Sequence, residues 1–257
     1  MVRYKSERPV ADRHVLVVGA TSGVGLAIAR RLLEMNVDVS VLSRKTIDEV
    51  TNIFNRTFSP TKVITTDLAD IAQTTREVGR WVNENRTVDV LVHCAVFYGL
   101  AGRKPFCEIT LDEWDRLFAV NVRAQYLVAS LILPQMISNH KGLVLGITSD
   151  VARVAGPGRI GYAATKAACY SLMVGLSEEL RDTGISVVQL LPTNIIDTPG
   201  IRRRRPSDFD FSSYDSPDVV LDKSLTLIST LGLGYNGQQI SVGSLTMPMR
   251  RDAGRAI

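Results

Sequence analysis

The chain has 257 residues, 45% of them hydrophobic, 22% charged and 6% aromatic, with 30 Lys+Arg against 26 Asp+Glu for a formal net charge of +4. The apolar fraction excludes a disordered chain, and 3 cysteines in this length exclude a disulfide scaffold and suit a reducing compartment. The run Arg202 to Arg205 equals the whole net charge, so no broad basic face is left for nucleic acid. The N-terminal MVRYKSERPVADR has no apolar core for a signal peptide, and the uncharged stretches 124–140 and 224–249 are broken by Gly, Pro, Asn or Gln, unlike a membrane span. The expectation is a soluble, cytoplasmic protein that binds neither nucleic acid nor membrane.

In chain order, HVLVVGA (14–20) is a continuous apolar run ending in glycine, the pattern of a buried parallel strand. GLAIARRLLEM (25–35) follows with Leu26, Ala29, Leu32 and Leu33 at helical spacing. VDVSVLSR (37–44), TKVITTD (61–67), VDVLVHCA (88–95), GLVLGITS (142–149) and ISVVQLL (185–191) predict further strands, and QISVGSL (239–245) a last one. Helices are expected near 72–85, 111–137 and 162–182. Alternation of this kind implies an α/β fold, a doubly wound and mostly parallel sheet with helices on both faces. No linker divides the chain, so 1–257 is expected to be a single domain. The composition break at 199–217, PGIRRRRPSDFDFSSYDSP, predicts a flexible substrate flap.

Gly19, Thr21, Ser22, Gly23, Val24 and Gly25 lie between the first strand and its helix. Glycines there let the backbone approach a pyrophosphate, and the helix N-terminus offers it unpaired N–H groups. The second strand ends in Ser43-Arg44 where a carboxylate would bind ribose hydroxyls; a guanidinium pairs instead with a 2′-phosphate, which favours NADP(H). Asp67 and Leu68, at the end of the third strand, are placed to meet the adenine edge. Tyr162 and Lys166 have i, i+4 spacing on one helix face, and a nearby cation is expected to lower the phenol pKa toward acid/base use. Ser149, at the end of a strand, can hydrogen-bond a substrate oxygen at the same edge of the sheet. Phe97 and Tyr98 follow strand four and are candidate walls of a substrate pocket. His93, inside an apolar run, reads as a hydrogen-bonded structural residue. The scattered cysteines and histidines lack metal-ligand spacing.

Taken together, the glycine loop, Asp67, KPFCEITLDEWDRLFAVNV (104–122), ITS (147–149), GYAATKAA (161–168) and LLPTNIIDTP (190–199) resemble the compact branch of the short-chain dehydrogenase/reductase family, including 3-oxoacyl-carrier-protein reductase-like members. The resemblance implies a Rossmann fold and hydride exchange between a nicotinamide cofactor and a ketone/secondary alcohol pair. It implies Asn121, Ser149, Tyr162 and Lys166 as the catalytic set, Asn121 holding a water in a proton relay from the lysine. Tyr162 and Lys166 would also meet the cofactor, as would Ala95, Pro192, Ile196 and Thr198. A homotetramer or homodimer is implied as well, in keeping with the apolar run YLVASLILPQM (126–136). The chain departs from the family pattern at Val18, at His93-Cys94-Ala95-Val96 and at Thr193. Those departures keep open a second expectation, a cofactor-binding regulatory or scaffold protein with weak or no turnover.

Overall fold

A computed structural model describes residues 10–84, 87–100 and 103–243; the expectations for the N-terminal residues before Val10 and for 244–245 lie outside the described residues. The elements, in order, are β1 His14–Val18, α1 Gly23–Glu34, β2 Asp38–Ser43, α2 Ile47–Phe54, β3 Val63–Thr65, α3 Ile71–Glu84 and β4 Val90–His93. They continue as α4 Leu111–Phe118, α5 Ala124–Ser138, β5 Gly142–Ile147, α6 Ile160–Glu179, β6 Ile185–Pro192, α7 Pro199–Arg202, α8 Leu221–Thr230 and β7 Gln239–Val242. The seven strands form one sheet in the order β3-β2-β1-β4-β5-β6-β7. Every pairing is parallel, beyond the mostly parallel sheet expected.

The strands are β-branched and leucine-rich because both faces of the sheet are covered. Val15 and Val17 face α1 and α8, packing with Ile28, Leu32, Leu227 and Ile228. Leu16 and Val18 face the other way, onto Val78 and Trp81 of α3, Ile132 and Met136 of α5 and Met173 of α6. Alternate residues of one strand thus feed two cores, and the chain folds as a single domain. Order reverses between β1 and β4, which opens a crevice at the carboxyl ends of those strands.

Among the described residues three helices lie beyond those expected, α2, α7 and α8. α2 carries a local signature, a capping box in which Thr46 accepts from the Glu49 N–H while Glu49 accepts from the Thr46 N–H. α8 covers the far end of the sheet through Leu227 and Ile228. The helix expected at 111–137 runs as a continuous Leu111–Ser138 with a π-helical stretch at Ala119–Arg123. It is long and apolar enough by length and composition to cross a membrane, and half of that window is buried inside the protein. Segment 199–217 contains α7, and a bridge joins its Asp215 to Ile196 just before it. Phe209, Phe211 and Tyr214 pack ring against ring within it.

Candidate active site

The crevice is a cavity of about 360 Å³, the size of a small-molecule site. Its first end is built on the turn from β1 to α1. Gly19 has φ +82°, and a Cβ there would stand 2.7 Å from the Ala95 backbone, so only glycine lets the two strand ends meet. The Ser22 side chain does not cap α1, which leaves the first-turn N–H groups available to a phosphate. Thr21, Ser22, Gly23 and Val24 line the cavity; Gly25 does not. Gly25 packs beneath the loop, where a Cβ would come 2.4 Å from the Gly19 carbonyl oxygen, so its part is to let the loop sit down on the helix.

Ser43, Arg44, Asp67 and Leu68 line the same end. The Ser43 hydroxyl accepts from the Lys45 N–H at 3.0 Å, while Arg44 is exposed at the rim. Asp67 accepts from the Ala69 N–H at 3.0 Å and pairs with Arg116 at 3.3 Å, so part of its carboxylate is committed to the protein. Ala95, Pro192, Ile196 and Thr198 also line the cavity, with the Thr198 side chain close to Gly23. An open helix N-terminus, a glycine-rich loop and a basic rim fit a dinucleotide.

Beyond the loop, Ser149, Tyr162 and Lys166 share the wall. Ser149 stands just past the end of β5 rather than within it; its hydroxyl donates to Asp150 at 3.2 Å and accepts from the Val151 N–H at 3.4 Å. Tyr162 and Lys166 lie one turn apart on α6, the ammonium 5.9 Å from the phenol ring centroid. The ammonium donates to the Ile147 carbonyl at 2.9 Å. Desolvation raises the Tyr162 pKa above the usual phenol range, with hydrogen bonds from Ser149 and Tyr98 opposing it. The expected lowering by Lys166 is therefore not what this arrangement gives: burial wins, and the cation is turned to a backbone oxygen. Tyr98 packs against Tyr162 with ring centroids 4.9 Å apart, and its own pKa is raised by desolvation and by the adjoining Tyr162.

Asn121 does not reach the cavity. It is buried in the π-helical stretch, where its side chain accepts from the Phe97 N–H at 2.7 Å and donates to the Phe97 carbonyl at 2.8 Å and to Thr165 at 3.0 Å. Its main-chain carbonyl accepts from the Cys169 thiol at 3.0 Å. Asn121 thus braces the Phe97–Tyr98 wall from behind. His93 also departs from expectation. It ends β4, is 6% exposed, and among the described residues neither ring nitrogen has a hydrogen-bond partner. Burial, with Lys166 nearby, lowers its pKa to about 3 and keeps the ring neutral. The Cys94 thiol is pushed up to about 12 by burial, which makes it a poor nucleophile.

Sequence reasoning missed Arg103, Arg116 and Arg159, all on the cavity wall. Isolated arginines in polar segments carry no periodic or motif signal, and only the fold gathers them. For Asp150 the signal was its place beside Ser149 at a strand end.

Fold and cavity define an α/β protein with a nucleotide cradle next to a serine–tyrosine–lysine group. The profile of the short chain dehydrogenase family matches residues 13–208, and the chain belongs to that family and is an oxidoreductase. It is 31% identical over 183 residues to the uncharacterized oxidoreductase YvrD of Bacillus subtilis, covering 70% of this chain and 68% of that one. Among solved structures it resembles a short chain dehydrogenase from Burkholderia cenocepacia in complex with NADP, at 25% identity and TM-score 0.75 over 92% of this chain and 98% of the other. It shares the fold of a 3-ketoacyl-(acyl-carrier-protein) reductase from Brucella melitensis complexed with NADH, at 22% identity and TM-score 0.78 over 90% and 97%.

Proposed function

We propose that the protein is an NADP(H)-dependent oxidoreductase that interconverts a ketone and a secondary alcohol, with Tyr162 as general acid/base. The observation that carries this reading is the convergence of Ser149, Tyr162 and Lys166 on the wall of the cavity that the glycine loop opens. Ala95, Ile196 and Thr198 would hold the nicotinamide, which would supply hydride to the carbonyl carbon or accept it from the alcohol. Ser149 directs its hydroxyl at the substrate oxygen and holds it against Tyr162. The Tyr162 O–H gives its proton to that oxygen in reduction and takes it back in oxidation. Lys166, 5.9 Å from the ring centroid, offsets part of the penalty that burial places on the phenolate and offers its remaining donors to the ribose of the cofactor. Tyr98 hydrogen-bonds the Tyr162 hydroxyl and narrows the wall on the substrate side.

Arg44 at the rim supports NADP(H) over NAD(H), because its guanidinium can pair with a 2′-phosphate and β2 ends in Ser43 rather than in a carboxylate. Exposed Leu111, Tyr126 and Ile160 on the helices flanking the site, together with exposed Phe106, support a homotetramer or homodimer, and the odd count of 3 cysteines, suited to a reducing compartment, supports a cytoplasmic setting. Mass in solution tests the assembly, and a strict monomer contradicts it.

Tyr162→Phe tests the chemistry. Turnover of a carbonyl panel should fall by about 10²- to 10⁴-fold while NADPH affinity, read from its fluorescence, changes little. An unchanged rate removes Tyr162 from the mechanism. A second reading, cofactor binding for regulation or scaffolding with weak or no turnover, is favoured by one observation: Cys169 occupies the Asn121 carbonyl and Ile147 engages the Lys166 ammonium. NADPH binding without oxidation across the same panel would establish that reading.

A further inference from the structure

The cavity wall carries seven arginines and Lys166 against two carboxylates, Asp67 and Asp150. The charges fall into two groups. Arg44 and Arg116 stand at the nucleotide end, where Asp67 takes up Arg116. Arg103, Arg159 and Arg205 form the second group, with Arg159 close to Asp150 and Tyr162.

Three segments bring this second group together. The loop after β4 supplies Arg103, the turn before α6 supplies Arg159, and the turn after α7 supplies Arg205. Gly158 lies against Arg103, where an added Cβ would come 2.6 Å from the arginine's own Cβ. Arg204 locks the third segment to the first. It donates to the Gly99 carbonyl at 3.0 Å and lies 4.6 Å from the Tyr98 ring centroid. Arg205 is oriented by the Tyr214 hydroxyl at 3.1 Å. The positions of these cations are therefore built by the fold.

Gathering like charges costs free energy unless something neutralises them. Among the described residues, no carboxylate lies within 4.0 Å of the guanidinium of Arg103, Arg159 or Arg203. The acids nearby serve other partners: Glu113 takes Lys104 and the Leu100 N–H, and Asp197 takes Arg202. Desolvation and the repulsion of Arg103 and Arg205 lower the Arg159 pKa, with Asp150 opposing. Arg205 has the Tyr214 hydroxyl and the Phe209 and Tyr214 rings as partners, but a neutral ketone would leave Arg103 and Arg159 on the cavity wall without an anionic partner.

We infer that the substrate is an anion: a ketone or secondary alcohol with a carboxylate, phosphate or sulfonate group held by Arg103, Arg159 and Arg205 while its oxygen meets Ser149 and Tyr162. The inference rests on the oxidoreductase reading and names the substrate class of that same site. Arg159 precedes Tyr162 by about one helical turn, ~5 Å, so the anionic group belongs a few bonds from the carbonyl.

The test uses the full chain with saturating NADPH in a phosphate- and sulfate-free buffer. The probes are 4-oxopentanoate, 5-oxohexanoate and 6-oxoheptanoate, each with its methyl ester, and a ketone phosphate monoester of similar length. Binding is read by calorimetry and reduction by NADPH absorbance. The acid or phosphate should exceed its neutral counterpart by about tenfold or more in kcat/KM or affinity, and Arg159→Gln with Arg205→Gln should bring that ratio toward one. Arg181→Gln, on the remote surface, should leave the ratio unchanged. Added sodium chloride should shrink it. Arginine-dependent binding of an anionic probe without reduction sustains the anion site and overturns the proposed ketone reduction at Tyr162. Esters reduced as well as acids overturn the anion site and sustain the oxidoreductase reading. No binding of any anionic probe overturns the anion site, and Arg159→Gln without effect on the ratio removes Arg159 from it.

Discussion

His93 shows how one buried side chain can set a pH dependence. Its pKa is lowered to about 3 from 6.5, chiefly by burial. Below pH 6.5 the unfolded chain takes up a proton that the folded protein refuses until near pH 3. The contribution of this neutral ring to stability is complete above pH 6.5 and declines by about 1.4 kcal/mol per pH unit below it. His93→Leu removes the effect. Between pH 7.5 and pH 5 the stability difference between wild type and variant should move by about 2 kcal/mol in favour of the leucine, measured by urea unfolding at both pH values. A pH-independent difference would mean that the folded protein does accommodate imidazolium. The apolar run around His93 announced its burial, but whether its nitrogens are bonded depends on neighbours that no local pattern specifies.

Element by element, the π-helical stretch has the largest consequence. An extra residue in the helical turn at Ala119–Arg123 carries Asn121 inward. Its amide then closes on both backbone groups of Phe97 and on the Thr165 hydroxyl. Asn121→Ala should cost about 3 kcal/mol, since it strands several buried polar groups at once. It should also lower kcat by loosening the Phe97–Tyr98 wall. Urea unfolding with an unchanged m-value checks the first effect and steady-state kinetics the second; a loss below about 0.5 kcal/mol would remove the brace from the account. The sequence between 111 and 137 shows one apolar helix and no break, because the bulge answers to partners on α6 and the loop after β4. α2 is the contrary case. Its Thr46–Glu49 capping box was legible locally, and the helix could have been found without any tertiary knowledge.

In the whole molecule, strand order reverses between the paired strands β1 and β4, and the candidate site lies at the carboxyl edge of the sheet there. A ligand that fits only the folded crevice stabilises the fold by mass action. NADPH at a hundred times its dissociation constant should add about 2.7 kcal/mol. For a chain of this size that raises Tm by roughly 5–10 °C. Arg44→Ala should reduce the shift given by NADPH and spare the shift given by NADH at the same concentration, read in a thermal melt. Equal reductions for both nucleotides would show that Arg44 does not read the 2′-phosphate.

The sequence by itself determined the alternation of strands and helices, the glycine turn after β1 and the shared helix face of Tyr162 and Lys166. Each of these is a short-range pattern, fixed by strand period, backbone sterics or helical repeat. The tertiary structure alone decided that Asn121 stands behind the wall, that the Lys166 ammonium turns to Ile147, and that burial raises the Tyr162 pKa. It also brought Arg103, Arg159 and Arg205 to one mouth from three separate segments. Electrostatics depends on distance through space and on the water excluded between charges, and both exist only once the loops at the edge of the sheet are folded against one another.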